Sequence, residues 1–156
     1  MDDGFELDAY LRRIDYEGPL EPSLPALRGV LAAPSAAIPF ENIDVLLKRG
    51  VRLDIATLQD KLVRRRRGGY CFEQNTLLAA ALRALGFSIV TLVARVVRGL
   101  AESAATPRAH QLLRVDLPEG PYIADVGYDT DRAAHIAAGL GAADAERALS
   151  ADDPRQ

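Results

Sequence analysis

The chain is short of the residues from which most built sites are made. It has one cysteine, Cys71, and two histidines, His110 and His135, in 156 residues. One cysteine excludes an internal disulfide framework and any zinc site made from several thiolates. Two histidines leave few ligands for a transition metal, so no metal is expected. Basic residues are not in excess either. Nineteen against 22 acidic ones give a formal net charge of −3, without the basic field of a general nucleic-acid binder. No apolar run approaches the roughly 20 residues of a membrane span. The acidic start MDDGFELD lacks the basic region and apolar stretch of a secretory signal. Neither nucleic acid nor membrane is therefore an expected partner. The expected setting is the reducing cytoplasm, where a free thiol persists and can serve chemistry. What remains, 49% hydrophobic and 26% charged, is the composition of an ordinary globular protein.

The first half reads as helical. Leu7, Tyr10, Leu11 and Ile14 fall on one helix face, and Gly18 and Pro19 follow. Ser23 suits the cap of a second helix with Pro25 in its first turn and Leu24, Leu27, Val30 and Leu31 inward; Pro34 is expected to end it. Ile38 to Asn42 should then be extended, since a residue before proline avoids the helical region. Asp54 suits the cap of a third helix striped by Ile55, Leu58 and Leu62, ending in Arg64 to Arg67 where cations favour the negative end of the dipole. A fourth helix is expected from about Cys71 to Gly86.

Beyond Gly86 the pattern turns to strands. Residues 87–97 are largely β-branched and apolar, and 99–108 read as a loop. His110 to Leu117 and Tyr122 to Val126 read as a hairpin around Pro118-Glu119-Gly120, of the type I turn-and-bulge kind. From Asp129 onward alanine and charge dominate, with Ile136, Leu140 and Leu149 the only large aliphatics, so a weak helix over 131–149 or a disordered tail is expected. The fold class is α+β.

The stretch Arg67-Gly68-Gly69-Tyr70-Cys71-Phe72-Glu73-Gln74-Asn75 carries the chemistry. Two glycines turn the chain into a helix whose first turn presents Cys71. A helix start carries about half a positive charge, which favours a thiolate. The competing reading is a small buried hydrophobe. A thiolate nucleophile needs an imidazole, and the imidazole an orienting group. If residues 117–120 make the turn, His110 opposes Gly127, and Asp125 is its diagonal neighbour on the same face, about 7 Å away at Cβ. The competing readings are a surface histidine, which His135 also fits, and a turn-forming aspartate.

RGGYCFEQN resembles the active-site motif of the arylamine N-acetyltransferases, and Ile38-Pro39-Phe40-Glu41-Asn42 is similar to a second stretch typical of that family. AHQLLRVDL and YIADVGY are similar to its strands around the catalytic histidine and aspartate. The spacings, 39 residues from Cys71 to His110 and 15 from His110 to Asp125, agree. The resemblance covers roughly residues 5–128.

That resemblance implies a helical bundle over 1–86 carrying the nucleophile, an incomplete antiparallel β-barrel over 87–128 carrying His110 and Asp125 in a cysteine-protease-like arrangement, and a tail over 129–156. It implies ping-pong acetyl transfer from acetyl-CoA, a substrate rather than a bound cofactor, to an arylamine or arylhydrazine. Cys71 would be nucleophile, His110 base, Asp125 its orienting group, and backbone N–H groups near Cys71 the oxyanion donors. Phe40 and Phe72 would line the acceptor pocket, while Arg67, Gly68, Gly69 and Glu73 would shape the nucleophile turn. Members of the family run to nearly twice this length. A truncated member is therefore expected, with impaired transfer and with open barrel edges that invite self-association. Two alternatives stay open: a non-catalytic remnant or interaction module from a disrupted gene, and a thiol acyl hydrolase of papain or transglutaminase type.

Overall fold

Apolar spacing and caps account for most of the helices. The structure, a computed structural model, describes residues 4–95 and 107–127 and the backbone of 135–138. Helix α1 (Leu7–Arg13) buries Tyr10 and Leu11, with Ile14 just beyond it. Helix α2 (Leu24–Ala37) starts at Ser23, whose hydroxyl accepts the Ala26 N–H at 3.4 Å. It does not stop at Pro34. Proline removes only its own N–H and crowds the carbonyl one turn back, and the next turn still closes, with the Ile38 N–H donating to the Pro34 carbonyl at 2.7 Å. Extended backbone begins at Ile38. A short helix, α3 (Ile43–Leu46), follows; it has no buried residue and hence no apolar stripe to announce it.

Helix α4 (Ile55–Leu58) is capped by Asp54, which accepts the Thr57 N–H at 3.0 Å, and it widens into a π-helical turn over Gln59–Arg64. Helix α5 (Cys71–Ala84) ends before Gly86, which has a φ of +86°. α5 is the centre of the packing. One flank sets Leu77 and Ala81 against Tyr10, Leu11, Ile14, Leu58 and Leu62. The other sets Leu78 and Leu82 against Leu27 and Leu31 of α2 and against the sheet residues Leu113, Val115 and Ala124.

The sheet is antiparallel throughout, in the order β1 (Ser88–Arg95), β2 (Arg108–Leu117), β3 (Gly120–Asp125), β4 (His135–Ala138). β2 and β3 pair from Leu113↔Ala124 to Leu117↔Gly120 without a register shift, so the bulge expected beside Pro118-Glu119 is absent; the irregularity lies on β1 at Ala94/Arg95. β4 falls inside the segment read as a weak helix. Alanine favours helix locally, but the edge of β3 offers a ladder, taken from Tyr122↔Ala138 to Asp125↔His135. The remainder of 129–156, and 96–106 with most of the expected loop, lie outside the described residues. The α+β class holds: helices α2 and α5 pack against an antiparallel sheet.

Candidate active site

The backbone leading into α5 is held by a neighbouring strand of chain. The Gly69 N–H donates to the Pro39 carbonyl at 3.2 Å, the Glu41 N–H to the Gly69 carbonyl at 3.1 Å, and Phe40 bridges Gly69 in parallel. A side chain at position 68 would put its Cβ 2.1 Å from the Pro39 carbonyl oxygen, so the two backbones approach only because that residue is glycine. Buried Gln74 ties the same pair from below, donating to the Gly69 carbonyl at 2.8 Å and the Pro39 carbonyl at 3.3 Å.

Ion pairs brace this turn. Glu73 accepts the Tyr70 N–H at 3.1 Å with one oxygen and Lys61 at 2.7 Å with the other. Lys61 also pairs with Asp44 at 2.8 Å and lies 3.7 Å from Glu41, while Arg67 pairs with Glu41 and with Asp44 at 3.0 Å. Burial works against the Lys61 charge, yet hydrogen bonds to Asp44 and Glu73 more than offset it and hold its pKa above the ordinary value. The Lys61 hydrogen bond, outweighing some desolvation, keeps Asp44 below the usual carboxylate range.

Cys71 is the first residue of α5 and is 7% exposed. Its thiol donates to the Ala109 carbonyl oxygen at 3.7 Å and is near enough to the His110 ring to raise that ring's pKa. His110 comes from β2, and its Nε2 stands 2.5 Å from Asp125 Oδ2 at the end of β3. The register that pairs Leu113 with Ala124 places Asp125 diagonally across from His110 on one face, as the turn arithmetic requires. Burial disfavours the charged ring, but the hydrogen bonds to Asp125 and Cys71, with their charges, overcome it and push the His110 pKa up to about 9. Asp125 is also buried, which would raise its pKa; hydrogen bonds from His110, Asn75 and the Gly127 N–H bring it below the ordinary value instead.

The structure thus brings Cys71, His110 and Asp125 into one line, with Arg67, Gly68, Gly69 and Glu73 in the turn behind them. Phe72 is half-buried, its ring 5.6 Å from that of Tyr70. Phe40 is joined to the turn through its backbone bridge to Gly69, and the residue is 44% exposed. Asn75 and Gly127 belong to the site and were not singled out by sequence reasoning. Asn75 is fully buried one helical turn below Cys71, and it bonds Gln111, Asp125 and Val126. Gly127 packs on Cys71 itself, a Cβ there falling 2.5 Å from Cys71 Cα. The signal for Asn75 was its place four residues after the cysteine on one helix; Gly127 carried none. Among the described residues no group of three or more His, Cys, Asp and Glu is arranged to hold a metal ion, and no helix is long and apolar enough to cross a membrane.

A family model described as N-acetyltransferase matches residues 23–146, reaching past residue 128, where the motif resemblance ended. An arylamine N-acetyltransferase / N-hydroxyarylamine O-acetyltransferase of Salmonella typhimurium is 46% identical over 122 residues, covering 78% of this chain and 43% of that protein. The structure of arylamine N-acetyltransferase from M. tuberculosis superposes with a TM-score of 0.79 at 42% identity, over 88% of this chain and 52% of that one. That of the Mycobacterium marinum enzyme in complex with CoA gives a TM-score of 0.77 at 42% identity, over 87% and 52%. The chain spans less than half the length of the curated relatives it matches.

Proposed function

The chain belongs to the arylamine N-acetyltransferase family, and on that premise we propose that it takes an acetyl group from acetyl-CoA onto Cys71 and passes it to an arylamine or arylhydrazine. The observation that carries this reading is the 2.5 Å contact of His110 Nε2 with Asp125, with the Cys71 thiol near enough to the ring to raise its pKa. A ring that is cationic at neutral pH stabilises negative charge on the neighbouring sulfur. The sulfur attacks the thioester carbonyl, the bond to the CoA sulfur breaks, and His110 returns a proton to that leaving thiolate. Acetylation removes the thiol hydrogen bond and charge that help raise the His110 pKa, so more of the ring is neutral and free to accept a proton in the second half-reaction. The amine attacks the acetyl carbon, loses its proton to His110, and the carbon–sulfur bond to Cys71 breaks.

The oxyanion donors in this reading are first-turn N–H groups of α5, which have no intrahelical partner, the Cys71 N–H first among them. Phe40 and Phe72 are assigned to the acceptor side because they flank the nucleophile turn. The reading takes the helices as the family's bundle and the sheet as part of its barrel, in the cysteine-protease-like arrangement, with a cytoplasmic setting. The test is incubation with acetyl-CoA or p-nitrophenyl acetate followed by intact mass. One acetyl adduct is expected on the wild type, none on Cys71→Ala, and far slower formation on His110→Ala. Loss of the adduct on adding an arylamine completes the cycle. No adduct on the wild type would overturn the proposal in favour of a non-catalytic module, and Cys71-dependent peptide hydrolysis in favour of a thiol hydrolase.

A further inference from the structure

Asn75 lies on the helix that begins with Cys71, four residues on and therefore on the same face. It is completely buried, and its side-chain hydrogen bonds run to Gln111 of β2 and to Asp125 and Val126 at the end of β3. Its Nδ2 donates to the carbonyl of Gln111 at 2.6 Å, the residue beside His110, and to Asp125 Oδ1 at 2.9 Å. Its Oδ1 accepts the Val126 N–H at 3.1 Å. The orientation of the amide has one solution, because a flip would set its oxygen against a carbonyl and a carboxylate and its NH2 against an N–H.

We propose that Asn75 is a positioning residue for this site, fixing the Asp125 carboxylate so that Oδ2 is kept for His110. The inference rests on the reading of Cys71, His110 and Asp125 as a catalytic line and deepens it. A carboxylate bound through one oxygen can turn about its terminal torsion, and a histidine partner alone does not prevent that. Here Oδ1 takes two donors, Asn75 Nδ2 and the Gly127 N–H at 2.9 Å, so turning would break both. The two donors also come from different elements. Gly127 follows Asp125 along its own chain, and its N–H bond cannot tie the carboxylate to α5. Asn75 can, because it joins the nucleophile's helix to both strands beside the His110–Asp125 pair, whereas Thr76 of the same helix accepts from Gln111 of β2. The His110 proton equilibrium depends on the Asp125 hydrogen bond, so a loosened Asp125 is read out at His110.

The experiment follows the His110 ring by NMR titration in a His135→Gln background, where a single histidine signal remains. Asn75→Ala is expected to lower the His110 midpoint by about one unit, a roughly tenfold change in its protonation equilibrium, and to shift the pH profile of Cys71 alkylation with it. Leu27→Ala, a core truncation on α2 that removes none of these hydrogen bonds, supplies the control: a lower Tm with an unmoved midpoint. Asn75→Ser, which keeps one donor but not the reach to three partners, is read in the same way should Asn75→Ala fail to fold. An unmoved midpoint in either variant, with a fall in Tm like that of Leu27→Ala, would reduce Asn75 to a structural residue and overturn the proposal. The titration does not require Cys71 to be acetylated, so failure of the functional reading is separately visible in the absence of the acetyl adduct.

Discussion

Replacing Gly127 with alanine tests how tightly the end of β3 is packed on the nucleophile. The added Cβ would lie 2.5 Å from Cys71 Cα, 2.9 Å from Cys71 Cβ and 3.0 Å from Asn75 Nδ2. An ordinary contact between carbons is about 3.5–4.0 Å, so the gap must open by about 1 Å. Cys71 cannot readily give way, because α5 is locked between two apolar clusters through Leu77, Leu78, Ala81 and Leu82. The movement therefore falls on residues 125–127, and it stretches the Asn75 bonds to Asp125 and Val126 beyond hydrogen-bonding range. Overpacking of this kind costs about 1–3 kcal/mol and each lost hydrogen bond about 1 kcal/mol. A fall in Tm of roughly 5–15 °C follows for a chain of this size. The misplacement is expected to slow acetylation of Cys71 by about 10²-fold. Because Cys71 is the single thiol, intact mass against time reads the rate without ambiguity. Gly50→Ala is the matched control. Its φ of +73° costs about 1–2 kcal/mol of backbone strain, with nothing within 4 Å of the new Cβ, and the acetylation rate should not change. Acetylation of Gly127→Ala within about threefold of wild type, at an unchanged Tm, would refute the close-approach argument.

Two further outcomes follow from the charged groups. The folded His110 pKa of about 9 lies above the ordinary 6.5, so its contribution to stability is fully present below 6.5 and is lost as pH rises through 9. The depressed Asp125 contributes above its ordinary value of 3.8 and loses that contribution as pH falls through its lowered value. Tm should therefore decline from pH 6.5 to 9.5, and Asp125→Asn should flatten that decline; an unchanged slope in the variant would contradict the pairing. Lys61→Met leaves Glu73 and Asp44 without their shared cation and is expected to cost about 3–5 kcal/mol, measured by urea unfolding. A cost under about 1 kcal/mol would mean that the cluster behaves as a solvated surface pair.

Much of the fold was legible because its determinants are local. Ser23 and Asp54 announce their helices through side-chain oxygens that reach the next turn. The short link Pro118-Glu119 fixes the register that carries Asp125 across to His110. Where local preference met a nearby partner, the partner won. Helix α2 passes Pro34 because the following turn still finds its carbonyl, and the alanine-rich segment at 135–138 forms a strand because β3 offers it a ladder.

The candidate site was legible in its cysteine, histidine and aspartate and in the turn residues Arg67, Gly68, Gly69 and Glu73, but not in the buried amides or Gly127, for a physical reason. Apolar spacing identifies a helix face that meets other apolar residues. It is silent about a polar residue whose partners come from distant chain. Glu73, Gln74 and Asn75 are three successive buried polar residues in the first turns of α5, a place where burial without partners would be costly. Each has partners on a different part of the site. Glu73 holds the Tyr70 N–H and Lys61, Gln74 holds the Pro39 and Gly69 carbonyls, and Asn75 holds the strands of His110 and Asp125. Read alone, EQN looks like a solvated helix face. Read with its partners, it is the framework that sets a thiol, an imidazole and a carboxylate in one line, and the nucleophile's own helix supplies all of it.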